Sequence, residues 1–268
     1  MLQEMTVLEG FFIKYLNAIW IVKGIDYCGK YIIAYPRYDL KGRKLSKYHK
    51  TSLIKQLVKL NDCSPRPSPL VPLWESEVID PRDLIERDEL ARDMASIFNC
   101  KFGLTGSRAW NESGKDVDLI TYDWWCDKEI MKVMRELRER GVTEPPKEGK
   151  WDGLLSGAKR YRARNALLEG VWNGVPYSFR IVGPPRSPRR AVSLGFVKLC
   201  GKLRPISNVV MPYIYELVTN NGTIRVESLR IQHSELGEVK VCVRGSLEVR
   251  IDGTFVTLPP GATLDVVG

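Results

Sequence analysis

Read for where apolar and polar residues alternate, the chain falls into blocks of different texture. Three runs dense in β-branched and aromatic residues, 9–15, 18–24 and 30–38, are broken by Leu16-Asn17 and Cys28-Gly29. They predict a small three-stranded antiparallel sheet. A basic polar loop follows over 41–50, and Leu53, Ile54, Leu57, Val58 and Leu60 predict a short amphipathic helix over 52–60. The stretch 63–73 holds Pro65, Pro67, Pro69 and Pro72 and reads as a linker, because proline lacks a backbone donor.

Beyond it, Asp80 and Pro81 stand as N-cap and first residue of a helix running to about Phe98, with Leu90, Met94, Ile97 and Phe98 on one face. Asp127 to Arg140 is a second helix, striped by Ile130, Val133, Met134 and Leu137 and closed by Gly141. Trp124 and Trp125 precede it and read as packing residues. In the run 159–164 the alternation predicts a strand with Arg160, Arg162 and Arg164 on one face, Lys159 and Tyr161 on the other. Asn173-Gly174 marks a tight hairpin, and a two-residue turn pairs Trp172 with Val175 and Glu169 with Ser178. After a basic, proline-rich linker over 183–190 come five or six short strands between 196 and 267, separated by turn residues. That spacing predicts a small β-barrel. The whole reads as an α+β protein with domains at 1–70, 71–185 and 191–268.

Between these elements lies the stretch with chemistry in it. An apolar run from Lys101 ends at Gly106-Ser107, a polar turn follows, and a strand then carries Asp116, Val117, Asp118 and Leu119. Side chains alternate across a strand, so the two aspartates share a face and Val117 and Leu119 share the other. Aspartate is depleted in strands, and paired carboxylates repel unless a cation lies between them; hard oxygen donors suit Mg²⁺. Gly106 permits a sharp turn and close approach of a ligand, while Ser107 is expected to start a helix whose amides favour phosphate. The same residue types in the same order fit a metal-bound nucleoside triphosphate.

Gly106-Ser107, eight residues, then Asp116-Val117-Asp118 resembles the signature of the DNA polymerase beta type nucleotidyltransferase superfamily. The N-terminal meander ahead of the corner is similar to that of archaeal predicted nucleotidyltransferases. The resemblance implies a mixed central sheet, a metal site of Mg²⁺ or Mn²⁺ on Asp116 and Asp118, and an NTP held at Gly106, Ser107 and the neighbouring Arg108. The superfamily places a third carboxylate on a nearby strand. This chain departs from that pattern, with Ser178 or Arg180 where the acid is expected, and Glu169 on the adjoining strand is the substitute. The strands around Gly201 and Gly245 resemble those of an OB-fold, whose barrels bind single-stranded nucleic acid.

Composition sharpens the partner. The chain of 268 residues carries a net charge of +9. Thirteen Lys or Arg against three acids lie between Lys147 and Arg204, a local surplus of +10, so the remainder is close to neutral at −1. Lys159, Arg160, Arg162, Arg164, Arg186, Arg189 and Arg190 are therefore expected nucleic-acid contacts, with RNA ahead of DNA. Lys198, Lys202, Arg204, Arg225, Arg230 and Arg244 are further candidates. The six cysteines form no Cys-x-x-Cys pair and only two histidines accompany them, which argues against zinc and reads as buried free thiols. No apolar run approaches the roughly 20 residues needed to cross a bilayer, so a cytoplasmic protein without a membrane partner is expected. The functional expectation is nucleotidyl transfer from an NTP to RNA. The alternative is a non-catalytic nucleic-acid-binding protein on a degenerate transferase fold.

Overall fold

The computed structural model describes residues 6–26, 28–61, 64–111, 114–146, 151–186 and 191–267. It is an α+β protein, richer in strand than in helix, with several mixed sheets. The chain packs as two compact units, one of residues 1–122 with 184–190 and one of 123–183 with 191–268.

In the first unit, β1 (Phe12–Tyr15), β2 (Ala18–Val22) and β3 (Tyr31–Asp39) form the expected meander. Leu16 and Asn17 both take positive φ, 48° and 56°, the geometry of a two-residue hairpin turn that follows the strand twist. The helix after it, α1, spans Lys47–Leu57, earlier than the apolar spacing indicates, because Ser46 caps it by accepting from the His49 amide. The proline-rich stretch is no linker. Ser64–Pro72 is strand β5, paired with β4 (Val58–Asn61) on one side and β3 on the other. The ladder to β4 accommodates the prolines with a register shift between the Lys59–Ser68 and Asn61–Ser64 pairs, the kind of irregularity at which proline is tolerated in a sheet. β6 (Glu77–Ile79) closes the opposite edge against β1.

The helix expected over 80–98 is broken in two. Asp80 caps a 3-10 segment, Pro81–Arg87, and Asp88 caps α2, Glu89–Ala95, by accepting from the Ala91 amide. A second capping aspartate in the middle of the run restarts the helix. β7 (Phe102–Thr105) and β8 (Val117–Thr121) follow as an antiparallel hairpin with Thr105 opposite Asp118. Gly103 lets this hairpin lie on the 3-10 segment, since a Cβ there would stand 2.6 Å from the Pro81 carbonyl carbon. Phe11 packs on Tyr122 at 5.4 Å, and the Tyr122 hydroxyl donates to the Glu9 carbonyl.

The second unit begins with α3, Asp127–Glu139, which buries Ile130, Met134 and Leu137 as its stripe predicts. Val133, at the margin of that stripe, is half-buried. Trp124 and Trp125 before it are exposed, edge to face at 6.0 Å, and are not packing residues. β9 (Thr143–Glu144), β10 (Glu169–Trp172) and β11 (Val175–Val182) pair in the register the turn dictates, Trp172 with Val175 and Glu169 with Ser178. Both Asn173 and Gly174 have positive φ.

The run 159–164 is helical: α4 spans Ser156–Asn165. Six residues of alternating Arg do not outweigh Ala158, Ala163 and the long side chains as helix formers, and the Asp265 carboxylate caps the start by accepting from the Ala158 amide at 3.1 Å.

After 191 come β12 (Ala191–Ser207), β13 (Val210–Met211), β14 (Tyr213–Thr219), β15 (Gly222–Ser228), β16 (Val239–Arg250), β17 (Gly253–Thr257) and β18 (Thr263–Val266). Pairings run from β12 to β14, to β15, in parallel to β17, and to β16, which returns to β12; β13 pairs with β11, and β18 edges β16. Leu203, Tyr213, Tyr215, Leu217, Val226, Val241, Val243 and Val256 are buried between them. No helix among the described residues is long and apolar enough to cross a membrane.

The cysteines among the described residues are not free thiols. Cys200 is bonded to Cys242, and Cys28, Cys100 and Cys126 are also in disulfides; Cys63 lies outside the described residues. Disulfides persist in oxidising compartments and in the intracellular proteins of hyperthermophiles. Cysteine usage therefore lends no support to a reducing cytoplasm.

Candidate functional site

The hairpin β7–β8 brings the Gly-Ser corner and Asp118 together within the first unit. Gly106 ends β7 at φ +72°, a left-handed conformation that glycine adopts without strain. A Cβ on it would stand 2.1 Å from Oδ2 and 3.0 Å from Cγ of Asp118. The Asp118 carboxylate therefore lies directly against bare backbone, in the space any side chain would occupy. Thr105 ties the pair by donating from Oγ1 to the Asp118 carbonyl at 3.1 Å. Asp116, which lies just before β8, and Asp118 within it are half-buried, whereas Val117 and Leu119 are buried.

The segment after the corner is a turn and not the expected helix. Ser107 O accepts from the amides of Trp110 and Asn111 at 3.1 and 2.9 Å, and the chain then bends at Gly114, whose amide donates to Asn111 O. One turn closed without continuation does not build a helix. Gly114 is a second close approach: a Cβ there would lie 2.8 Å from Ser107 Oγ. Residues leading into Asp116 are thereby brought beside Ser107.

Arg108 is committed to this loop. Its Nε donates to buried Asp88 at 2.5 Å and its Nη1 to Gly114 O at 2.9 Å, so one guanidinium joins the cap of α2 to the corner. Trp110 is boxed edge to face by Phe12 at 5.1 Å and by the backbone at Gly42. Tyr38, buried on β3, has a phenol whose pKa is raised by burial first and also by Asp118 and Asp116, against the lowering effect of Arg37. Tyr38 and Arg37 thus join the electrostatics of the acid pair, as pattern along the chain does not indicate.

Comparison with protein-family models and with curated proteins finds no match to this chain. What the chain can do therefore rests on its own residues.

Glu169 is engaged inside the second unit. Its Oε2 accepts from Arg162 Nε at 2.9 Å, from Arg162 Nη2, and from Trp151 Nε1 at 3.3 Å. Arg162 is buried and also donates to Ser234 O and Oγ, with Glu235 at 3.8 Å. Glu169 and Glu235 hold the guanidinium firmly protonated against the opposing effect of burial.

The basic cluster consequently divides. Lys159, Arg160 and Arg164 are exposed on α4, while Arg162 turns inward with Ala158, as helical geometry requires for residues two apart. Arg162 is not available as a surface contact. Arg186 is fastened to the N-terminal segment, its amide donating to Ile25 O and its guanidinium 3.9 Å from Asp26. Arg189 and Arg190 lie outside the described residues.

Proposed function

We propose that this chain is a metal-dependent nucleotidyltransferase, moving a nucleoside monophosphate from an NTP to an acceptor hydroxyl, with RNA favoured over DNA as acceptor. The observation that carries the reading is the Asp118 carboxylate seated against the bare backbone of Gly106, with half-buried Asp116 two residues before it. The donor set fits a hard divalent ion: two half-buried carboxylates beside a glycine corner, with oxygen ligands of the kind Mg²⁺ or Mn²⁺ takes. Asp116 and Asp118 would hold it. Bound there, such an ion supplies charge neutralisation and orientation for in-line displacement at phosphorus.

The chain's own part is positioning. Gly106 lets the Asp118 carboxylate rest against the backbone of the corner, Ser107 offers its hydroxyl, and Arg108 with Asp88 keeps the loop in place. The acceptor hydroxyl oxygen forms a bond to the α-phosphorus and loses its proton to solvent as the bond from the α-phosphorus to the bridging oxygen breaks, and pyrophosphate leaves. The order of strand, glycine corner, turn and Asp-Val-Asp strand supports kinship with the DNA polymerase beta type superfamily. The circuit of pairings from β12 back to itself supports an OB-like barrel.

The pairing of Glu169 with buried Arg162 favours a second reading, since the carboxylate sought as third catalytic acid is already neutralised. That reading is a nucleic-acid-binding protein on a degenerate transferase fold. Incubation with each radiolabelled NTP, Mg²⁺ or Mn²⁺ and RNA separates the two. Transfer lost in Asp116→Asn/Asp118→Asn supports the enzyme. No labelled product with any nucleotide, together with RNA binding that the double substitution leaves unchanged, supports the binder.

A further inference from the structure

We propose that the outer face shared by β12 and β16 binds the phosphate backbone of single-stranded RNA, and that the Cys200–Cys242 disulfide clamps this face in register. Directly opposed residues on paired strands share a face. Lys198 stands opposite Arg244, Cys200 opposite Cys242, and Lys202 opposite Lys240. Two like-charged pairs therefore flank a covalent cross-strand link. The same alternation turns Val197, Leu199 and Leu203 inward and leaves Lys198, Lys202, Lys240 and Arg244 exposed.

Like charges directly across a ladder push the strands apart, so two such pairs in succession weaken the sheet unless something offsets them. The disulfide between them does so within the fold, and a polyanion does so on binding. Two acids border the stripe. Glu238 pairs with Lys202 at 2.5 Å on the exposed surface, and Asp265, opposite Cys242 on β18, is held by the Ala158 amide. Lys198 and Lys240 make no ion pair among the described residues.

What favours RNA over an acidic protein or a lipid surface is the aromatic at the end of the line. Phe196 precedes Lys198 on β12, is partly exposed, and has the Arg244 guanidinium 4.8 Å from its ring centroid. A cationic track ending in an exposed ring with a stacked arginine is what an unpaired nucleotide chain uses, phosphates along the charges and a base on the ring. This face lies in the unit that does not contain Asp116 and Asp118, and the inference stands whether or not the chain transfers nucleotides.

Fluorescence anisotropy of a labelled 20-nucleotide oligouridine, titrated at several salt concentrations, tests it. Lys198→Ala/Lys240→Ala is expected to weaken binding about tenfold and to flatten the logarithmic salt slope by about 1.4, as loss of two single-strand phosphate contacts requires. Lys128→Ala/Lys132→Ala, on the exposed face of α3, is expected to leave both unchanged. Cys200→Ser/Cys242→Ser, checked by circular dichroism for retained fold, is expected to bind more weakly than wild type. Wild-type affinity and slope in the Lys198/Lys240 variant overturn the proposal. So does tight binding to anionic phospholipid vesicles with none to the oligonucleotide. Unchanged affinity in the folded cysteine variant overturns the clamp.

Discussion

Gly106 has two independent reasons to be glycine, its left-handed φ and the Asp118 oxygen in the place of a side chain. Gly106→Ala is expected to cost about 1–3 kcal/mol from backbone strain, and to displace the Asp118 carboxylate. Calorimetric titration with Mg-NTP should then register no binding, while Gly141→Ala, at a positive φ in open space, should destabilise without affecting the nucleotide. His233 makes a different prediction. Its Nδ1 shares a 2.7 Å hydrogen bond with Ser228 Oγ, and burial first, then Arg230 and Arg162, pushes its pKa down to about 3. Unfolded chains bind the imidazole proton below about pH 6.5, so the unfolded state gains protons first and stability falls as pH drops from about 6.5 toward 3. The slope is on the order of 1.4 kcal/mol per pH unit at its steepest. Urea midpoints of wild type and His233→Gln at pH 7, 5.5 and 4.5 check it, and the stability of wild type relative to the variant should fall with pH. Buried Glu235, with its pKa raised chiefly by burial, acts oppositely but is common to both proteins. A difference independent of pH would refute the assignment.

Among the elements, α4 separates charges that look equivalent in sequence. Arg162→Met removes the partner of Glu169 and of buried Glu235 and is expected to cost about 3–5 kcal/mol, the usual consequence of orphaning a buried charge. Arg160→Ala/Arg164→Ala, on the exposed side, should stay within about 0.5 kcal/mol. Urea unfolding of both distinguishes helix from strand here, since a strand would expose all three arginines alike. Asp88 links α2 to the Gly-Ser loop by capping the helix and holding Arg108. Asp88→Ala should lose the cap, about 1 kcal/mol, and leave the Arg108 charge part-buried with Gly114 O as its remaining bond. Nucleotide affinity should fall with it, read by the same calorimetry.

For the molecule as a whole, covalent links count for more than the cysteine spacing indicates. Cys200 and Cys242 are 42 residues apart, and a chain-entropy model assigns such a link about 4 kcal/mol. Cys200→Ser/Cys242→Ser should lower Tm by roughly 10 °C in a chain of this size, measured by differential scanning calorimetry without reductant. The two units differ in what they carry: the acid pair lies in the first, and the cationic ladder and the Arg162 cluster in the second.

Periodicity and turn chemistry were enough for the meander, for α3, for the Asn173-Gly174 hairpin with its register and for the strands after 191, because each is decided by residues close in the chain. The burial of Val117 and Leu119 on β8 was legible for the same reason. The strand at 64–72, the helix at 156–165 and the break at Asp88 were not. The pairing of β5 with β3, the Asp265 cap on Ala158 and the hold of Ser234 and Glu235 on Arg162 are contacts between residues far apart in sequence, while at Asp88 a local cap outweighed a continuous apolar stripe. Tertiary contact alone decided which basic residues face solvent, which cysteines pair, and that the Asp118 carboxylate rests on Gly106. These depend on where side chains meet in space, and a linear pattern holds no distance between them.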